Sequence, residues 1–259
     1  MDLSTPSAQP RIDCSPEEWQ ARVDLACCYR AAYHLGWHTS IIYNHITMRV
    51  PGTHDQFLIN PFGLMYQEIT ASNLIKIDTE GNKLSDSPHP VLKQGFVVHS
   101  ALHMAREDVA CVIHTHSRAG VAVACQKDGL LPINLTAMVF TDRIAYYDVQ
   151  GITDDNAERE DIVRALGDKR VMIMRNHGLL TCGPSVAQAF AEMRALEDAC
   201  NVQVMAMAGG AALNFPPIEI ARKSAAQHDR NSRGGGGAAV LQWAAVRRWM
   251  EQLDPGYMN

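Results

Sequence analysis

Two apolar runs in this chain each lead directly into histidine, and this pattern constrains the fold more than any other feature. The first run ends as Cys111-Val-Ile-His-Thr-His116. Apolar runs of this length are typical of buried β-strands. Because side chains two residues apart on a strand point to the same face, His114 and His116 are predicted to project together from the end of this strand.

The second run, Val171-Met-Ile-Met174, is another buried-strand pattern, and it leads into Arg175-Asn-His-Gly178. His177 therefore follows the strand, and the glycine after it permits a turn. Three imidazoles that converge from two strand ends are the usual protein share of a catalytic metal site, where water or substrate fills the remaining positions. The alternative is that each histidine is a hydrogen-bonded residue of the core or surface, and spacing alone leaves both interpretations open.

The overall composition is that of a packed globular protein and argues against several classes of partner. The chain has 259 residues, within the range of one large α/β domain, and 47% of them are hydrophobic and 20% charged. A net charge of −5 gives no electrostatic reason to expect a nucleic acid or an anionic membrane as partner. No apolar run approaches the ~20 residues of a membrane span, and residues 1–10 lack the features of a signal peptide.

The cysteines indicate a reducing compartment. There are 7 of them, an odd number, and Cys27 and Cys28 are adjacent. Most lie in apolar patterns and none forms a CxxC pair, which argues against a disulfide framework and against a structural zinc knuckle. We therefore expect reduced, buried thiols and a cytoplasmic protein.

The order of the predicted elements indicates a mixed sheet with helices on both faces. Ser15-Pro-Glu-Glu18 has the composition of a helix start, and this helix is predicted to run to about Trp37. Two β-rich runs, His45–Val50 and Gln56–Asn60, predict a hairpin, which excludes a purely parallel sheet. Further strands are predicted at Leu74–Asp78, Ile144–Asp148 and in the two histidine-bearing runs, and further helices at about residues 91–105, 117–127, 154–166, 185–208, 218–227 and 240–253.

Five segments of the sequence, in one order, resemble the class II aldolase/adducin family. The resemblance extends from about Glu18 to Gly210. At Tyr43-Asn-His-Ile-Thr47 the sequence is closer to the adducin head domain and its bacterial relatives than to the sugar-phosphate aldolases. The five segments are Asn44–Val50, Phe57–Leu64, Glu68–Ser72, His114–His116 and Arg175–Leu179.

This resemblance implies a three-layer α/β/α sandwich around a central mixed, largely antiparallel sheet. Together with the composition of the chain ends, it divides the chain into three parts. Residues 1–13 are expected to form a flexible arm and residues 14–230 the family domain. Residues 231–259 are expected to form a Gly-rich linker and a C-terminal helix that packs on the domain or on a neighbouring subunit.

The resemblance also implies a role for the three histidines. His114, His116 and His177 match the family's metal ligands and are expected to bind a divalent metal, with zinc expected first and manganese, cobalt or iron as alternatives. In the family's aldolases this metal polarises the substrate carbonyl. The family further implies a small-molecule substrate and, commonly, a homotetramer.

The sequence departs from the family's aldolases at the positions of their acid/base group and phosphate site. The aldolases carry a glutamate four residues before a helical histidine that matches His99, and that position here is Gly95. The two serines before the glutamate are replaced by Lys93-Gln94, and the Gly-Asn pair that helps to bind phosphate is Asn44-His45. These changes disfavour a sugar-phosphate aldolase.

Three functions remain open. The first, which we predict, is a metal-dependent lyase that cleaves a C–C bond, by aldol-type cleavage or decarboxylation, in a non-phosphorylated oxo- or hydroxy-acid. The second is a non-haem metal oxygenase, since a three-histidine site with open positions can hold iron. The third is an adducin-like, non-catalytic structural or interaction module, because a shared fold does not prove catalysis.

Outside the three histidines, the candidate site residues are single side chains. The candidate catalytic groups are His45, Glu68 and Tyr147, and the candidate substrate-binding groups are Asn44, His45 and Arg175. Each also has a structural interpretation, such as a cap for the carboxylate, core packing for the tyrosine and an internal ion pair for the arginine.

The C-terminal half offers candidate contacts between subunits. Glu192 and Glu197, on the predicted long helix, are expected to face solvent or another subunit. The apolar C-terminal helix carries Trp243 and Trp249, which a lone subunit would struggle to cover.

Overall fold

A computed structural model describes residues 12–151, 156–233 and 237–259 of the chain. The strands in these ranges are β1 (His45–Arg49), β2 (Phe57–Ile59), β3 (Ile75–Ile77), β4 (Cys111–Thr115), β5 (Ile144–Asp148), β6 (Val171–Arg175) and β7 (Gly178–Gly183). The α-helices are α1 (Pro16–His34), α2 (Lys93–Ala105), α3 (Arg118–Ala124), α4 (Leu135–Met138), α5 (Asn156–Leu166), α6 (Val186–Ala208), α7 (Ile218–Arg233) and α8 (Gly237–Leu253). Most of the predicted N-terminal arm and the centre of the predicted linker lie outside the described residues.

Helix α1 begins where its sequence predicts. Ser15 is the N-cap residue, and its hydroxyl accepts a hydrogen bond from the amide of Glu18 at 3.1 Å, while Pro16 stands at the start of the helix. On the buried face, Arg22 donates to the Glu18 carboxylate at 2.9 Å and to the carbonyl oxygen of Leu74 at 2.7 Å. These bonds attach α1 to the loop that precedes β3.

The seven strands form one sheet in the order β3-β2-β1-β4-β7-β6-β5. Every neighbouring pair is antiparallel except β5 and β6, which run parallel because α5 carries the chain back between them. The mixed, largely antiparallel sheet is therefore confirmed, as is the hairpin of β1 and β2. Strand β4, which carries the first two histidines, lies in the middle of the sheet between β1 and β7.

Helices cover both faces of the sheet and give the three layers implied by the resemblance. On one face, Leu102 of α2 and Ile162 of α5 pack in a shared core. On the other face, α1, α3 and α6 form a larger core that includes Leu196. Because side chains alternate along β4, His114 faces the layer of α2 whereas Thr115 faces the layer of α6.

The sequence does not predict β7, the strand that fixes the position of His177. Strands β6 and β7 pair with Met174 opposite Gly178, so His177 lies in the tight turn that joins them. The turn predicted at His177 is present, but its left-handed residue is Asn176, with a φ of 58°, and not Gly178. The apolar run of β7 is short, and periodicity alone cannot separate such a run from the start of the helix that follows.

The C-terminal helix α8 packs on α1 and α6 of its own chain. Trp243 is 8% exposed, stands 5.3 Å from the Phe190 ring, and donates through its indole nitrogen to Asp24. This packing removes much of the surface from which a subunit contact was predicted, although Trp249 remains 37% exposed. Among the residues that the structure describes, no helix combines the length and apolarity that crossing a bilayer requires.

Candidate metal centre

Three histidine rings meet at the end of the central strands. The Nε2 atom of His116 lies 2.7 Å from Nε2 of His114 and 2.9 Å from Nε2 of His177. The Nε2 atoms of His114 and His177 are 3.3 Å apart. The structure therefore brings together the three side chains that the sequence marks as metal ligands, each offering the same ring atom.

The hydrogen bond on the far side of the His114 ring fixes which nitrogen carries the proton, and the one at His116 permits the same tautomer. Nδ1 of His114 lies 2.8 Å from the carbonyl oxygen of Leu179, which can only accept, so this nitrogen is the donor. In the neutral ring Nε2 then carries a lone pair. Nδ1 of His116 lies 3.0 Å from the Ser40 hydroxyl, which can accept the corresponding proton. Such bonds orient metal-binding histidines and raise their basicity.

Burial keeps these rings neutral near pH 7. Burial, together with the neighbouring His116 and His177, lowers the pKa of His114 well below its ordinary value. Burial and the nearby rings of His177 and His45 lower the pKa of His116 to about 4, and burial also lowers that of His177. Neutral imidazoles whose lone pairs approach this closely suit a shared cation, since metal ligands must be deprotonated. The residues present therefore fit a divalent metal.

Gly178 allows the two strand ends to approach each other. A Cβ atom at this position would overlap the carbonyl oxygen of Thr115 and would lie 3.0 Å from Cδ2 of His116 and 3.4 Å from Cε1 of His114. Only hydrogen fits between these groups. The glycine is thus required for close packing beside the site, and not for the backbone angle of the turn.

His45 borders the three histidines. It is the first residue of β1 and stands directly opposite His114 in the antiparallel register, with 5.9 Å between the ring centroids. The side chain is 5% exposed, and its ring lies 4.2 Å from that of His99 on α2. Register between β1 and β4 is a tertiary relationship, so the sequence pattern alone does not reveal this proximity.

Behind His45, a chain of hydrogen bonds joins His99 to His103 through Thr47. The Thr47 hydroxyl lies 2.7 Å from Nδ1 of His99 and 2.8 Å from Nε2 of His103, while Nδ1 of His103 lies 3.2 Å from the carbonyl oxygen of Val109. That carbonyl must accept, so neutral His103 accepts the Thr47 proton and the hydroxyl accepts from His99. Nε2 of His99 is then an acceptor, and it is buried without a hydrogen-bond partner among the described residues.

Residues 23–204 match the family described as the class II aldolase and adducin N-terminal domain. The chain belongs to the class II aldolase and adducin family. This confirms the resemblance that the sequence motifs indicate, and it agrees with the fold and with the histidine site described above.

Members of the class II aldolase and adducin family resemble this chain over most of its length. An aldolase II superfamily protein from Pseudomonas syringae has a solved structure that superposes with a TM-score of 0.89 at 46% identity, covering 95% of this chain and 98% of that one. L-fuculose 1-phosphate aldolase from Glaciozyma antarctica superposes with a TM-score of 0.81 at 26% identity, covering 96% of both chains. Alpha-adducin of Mus musculus is 45% identical over 194 residues, which is 73% of this chain and 26% of adducin.

The other candidate site residues make contacts elsewhere in the family fold. Glu68 is exposed, and its carboxylate accepts the amide of Met65 at 2.8 Å, which is a local cap. The Tyr147 hydroxyl donates to Glu158 at 3.1 Å, and burial and this hydrogen bond raise the pKa of Tyr147 to about 12. Arg175 donates to the carbonyl oxygen of Lys127 at 3.0 Å. None of these contacts joins the side chain to the three histidines.

Asn44 precedes His45 and is 2% exposed. Its Nδ2 donates to the carbonyl oxygen of Trp37 at 3.2 Å. Its Oδ1 is buried and has no hydrogen-bond partner in the described part of the chain. The side chain therefore presents an acceptor, which does not suit an anionic group such as phosphate.

The expectation for Glu192 and Glu197 is wrong, because both carboxylates lie inside the subunit. Glu192 is 3% exposed and pairs with Arg143 at 3.2 Å. Glu197 is 1% exposed and accepts hydrogen bonds from Thr115 and Ser117, the two neighbours of His116. No sequence motif marks Glu197. Its contacts arise because α6 packs against the end of β4, which only the folded chain brings about.

Proposed function

We propose that this protein is a metal-dependent carbon–carbon lyase that acts on a non-phosphorylated oxo- or hydroxy-acid. The observation that supports the proposal most directly is the convergence of the three Nε2 atoms of His114, His116 and His177. Zinc is the ion that we propose first, because a three-imidazole donor set is common at catalytic zinc sites. Manganese, cobalt or iron would fit the same nitrogens.

The residues of this chain would hold and orient the reacting groups. When bound, the metal supplies a Lewis acid that draws electron density from the substrate oxygen next to the bond that breaks. His114 and His116 keep their Nε2 lone pairs directed at the ion because Leu179 and Ser40 hold the opposite ring nitrogens. His45, opposite His114 and next to the site, is our candidate for substrate contact and proton transfer.

The polar groups around the site support an acid rather than a sugar phosphate as substrate. A phosphosugar cleavage requires a base for the substrate hydroxyl and a donor-lined site for the phosphate. Residue 95 is glycine, and the Asn44 amide donates to Trp37 while its buried Oδ1, an acceptor, has no hydrogen-bond partner among the described residues. Decarboxylation requires fewer catalytic groups, because the departing CO₂ needs no base and only the carbanion must later be protonated.

An adducin-like interaction module is the second candidate function. The observation that favours it is the 45% identity to alpha-adducin over 194 residues. The two candidates differ in what the histidines are required to do. A lyase must bind the metal and turn over a substrate, whereas an interaction module needs only the fold.

The test is to measure the metal content of the purified protein and then the steady-state kinetics of the zinc-loaded protein. Candidate substrates are L-fuculose 1-phosphate and a panel of oxo- and hydroxy-acids. We expect metal-dependent pyruvate or CO₂ release from an acid and little cleavage of the phosphosugar. Efficient phosphosugar cleavage would contradict the proposal, and a zinc-loaded protein that cleaves neither class would favour the interaction module. A coloured, iron-containing protein would instead favour the oxygenase.

We also propose that the protein is a homotetramer, as the family resemblance implies, and that it is cytoplasmic, as the pattern of its cysteines indicates. Exposed apolar side chains support an assembly, since Leu135 of α4 is 69% exposed and Met205 of α6 is 70% exposed. Light scattering at micromolar concentration should give the mass of four chains. A monomeric mass would contradict the proposed tetramer without bearing on the metal site.

A further inference from the structure

Glu197 is a buried carboxylate with an unusual set of partners. It lies on α6 and is 1% exposed. Its Oε1 accepts from the Thr115 hydroxyl at 2.6 Å and its Oε2 accepts from the Ser117 hydroxyl at 2.5 Å. Among the described residues, no lysine, arginine or histidine nitrogen lies within 4 Å of this carboxylate, whereas Glu18 and Glu192 both form ion pairs. The hydroxyl groups of Thr115 and Ser117 therefore stabilise this carboxylate.

The direction of both hydrogen bonds follows from the other partners of the hydroxyls. Ser117 is the N-cap residue of α3, and its oxygen accepts the amide of Gly120 at 3.0 Å. Its own proton is consequently available to Glu197. Among the described residues, the other hydrogen-bond partner of the Thr115 hydroxyl is the sulfur of Met193, at 3.6 Å. An ionised carboxylate accepts both protons, and such charge-assisted bonds are short and strong.

These two hydroxyls flank His116 on the chain. Strand β4 ends at Thr115, so β-sheet hydrogen bonds do not hold the next residue. Thr115 and Ser117, on either side of His116, both bind Glu197, so their side chains point away from the three histidines and toward α6. Glu197 thus ties down the backbone on both sides of His116 from the face opposite to the three histidines.

The other side of His116 is held by the loop after α1. The Thr39 hydroxyl donates to the carbonyl oxygen of His116 at 2.5 Å, and the Ser40 hydroxyl lies 3.0 Å from Nδ1. His116 is therefore fixed through its own ring and carbonyl by this loop, and through its neighbours by α6. A carboxylate in this environment is costly to bury, and an apolar side chain could fill the same space without such bonds. What the carboxylate adds is a defined position for residues 115–117.

We propose that Glu197 is a positioning residue of the metal centre, which directs Nε2 of His116 toward the other two histidines by binding Thr115 and Ser117. The consequence for metal binding rests on the proposed function. The consequence for the position of the His116 ring does not, because it concerns the metal-free protein alone.

The test compares Glu197→Gln with Glu192→Gln. Both variants replace a buried carboxylate on α6 by an amide of the same size, but Glu192 binds Arg143 and not the residues beside His116. An amide keeps one acceptor oxygen, so one of the two hydroxyls loses its partner in Glu197→Gln. We expect the Kd for zinc, measured by competition with a chromophoric chelator, to rise about 10-fold to 100-fold for Glu197→Gln. The Kd of Glu192→Gln should remain that of the wild type.

A double-mutant cycle and a structure make the test independent of general destabilisation. Thr115→Val removes one hydroxyl while keeping the shape of the side chain, and its effect on the zinc Kd should not add to that of Glu197→Gln if both act through one bond. Crystals of metal-free Glu197→Gln should show Nε2 of His116 displaced from its positions 2.7 Å and 2.9 Å from the other rings. A folded variant with wild-type zinc affinity, or with an unmoved His116 ring, would overturn the proposal.

Two outcomes separate this proposal from the proposed function. If the wild type binds neither zinc nor another divalent metal, the proposed lyase fails, and the ring position in the metal-free crystals still decides the role of Glu197. If Glu197→Gln does not fold, Thr115→Val is compared with the wild type instead. This variant loses one hydroxyl but leaves the Glu197 carboxylate bound to the Ser117 hydroxyl. A wild-type Kd for zinc and an unmoved His116 ring in Thr115→Val would then contradict the proposed role of Glu197.

Discussion

The carbonyl oxygen of Leu179 lies 2.8 Å from Nδ1 of His114, and this contact determines which nitrogen of His114 can bind a metal. Leu179 is on β7 and His114 is on β4, and the two residues are neighbours because these strands pair in the sheet. A backbone carbonyl cannot move away without breaking the sheet. The tautomer of His114 is therefore a property of the fold, and Nε2 is presented to the site whether or not a metal is bound.

Replacing any of the three converging histidines should abolish stoichiometric metal binding. His116→Ala removes the nitrogen that lies closest to both of the others, so a single ion would keep only two protein ligands. We expect the zinc content after dialysis to fall from about one equivalent to near zero. The control is metal analysis of His54→Ala, because His54 is an exposed histidine that is distant in sequence from the three converging histidines. Unchanged stoichiometry in His116→Ala would exclude this residue as a ligand.

Gly178→Ala should disturb the site even though alanine is a small residue. Its Cβ would overlap the carbonyl oxygen of Thr115 and contact the rings of His114 and His116, so β4 and β7 would have to separate. We expect a loss of about 1–3 kcal/mol in the free energy of unfolding, as for other overpacked positions, together with weaker zinc binding.

The control for that substitution is Gly209→Ala. Gly209 follows α6, has a φ of −90°, and has no atom within 4 Å of the position that a Cβ would take. Urea unfolding of the two variants should show a loss only at position 178. Equal stability of Gly178→Ala and the wild type would contradict the close approach of the two strands.

The metal-free protein should lose stability as the pH falls below about 6.5. Burial lowers the pKa of His103 to about 3 and lowers that of His99 well below its ordinary value. Between pH 3 and 6.5 the unfolded chain then binds more protons than the folded one, so acid favours unfolding in that window. Each such histidine should contribute a slope of about 1.4 kcal/mol per pH unit.

Urea unfolding across this pH range tests that expectation. His103→Gln should show a smaller slope than the wild type, whatever its stability at neutral pH, because one of the buried titrating rings is gone. His54→Gln, at an exposed position, should retain the full slope. A slope that is unchanged in His103→Gln would show that this ring does not titrate as its burial requires.

Thr47 should link the tautomer of His99 to that of His103. Its hydroxyl lies between Nδ1 of His99 and Nε2 of His103, and the carbonyl oxygen of Val109 fixes the direction of the chain of hydrogen bonds. Nitrogen-15 NMR should therefore report a protonated Nδ1 in both rings. Thr47→Val leaves a buried donor without an acceptor and should cost about 1–3 kcal/mol of stability. Thr47→Ser keeps the hydroxyl and should preserve both tautomers, and a protonated Nε2 on His103 in the wild type would refute the assignment.

Local patterns in the sequence were sufficient for most of the elements and for the three histidines that converge. The alternation of side chains on a strand places His114 and His116 on one face, and the Ser15-Pro16 start of α1 is a matter of neighbouring residues alone. His177 was identifiable for the same reason, because it follows an apolar run in a family motif. Such features depend on residues a few positions apart, whose geometry the backbone fixes directly.

The tertiary structure alone decided the surroundings of those histidines. The position of His45 beside His114 depends on the register of β1 against β4, and the role of Gly178 depends on β7, which the sequence does not predict. Glu197 lies 80 residues beyond Ser117 in the chain, so no local pattern connects them. Tyr147 and Arg175 look equally polar in the sequence, and only packing assigned them partners away from the histidines. Side-chain chemistry is encoded locally, whereas the partner that each group meets depends on which distant elements pack together, because those contacts form only when the whole core does.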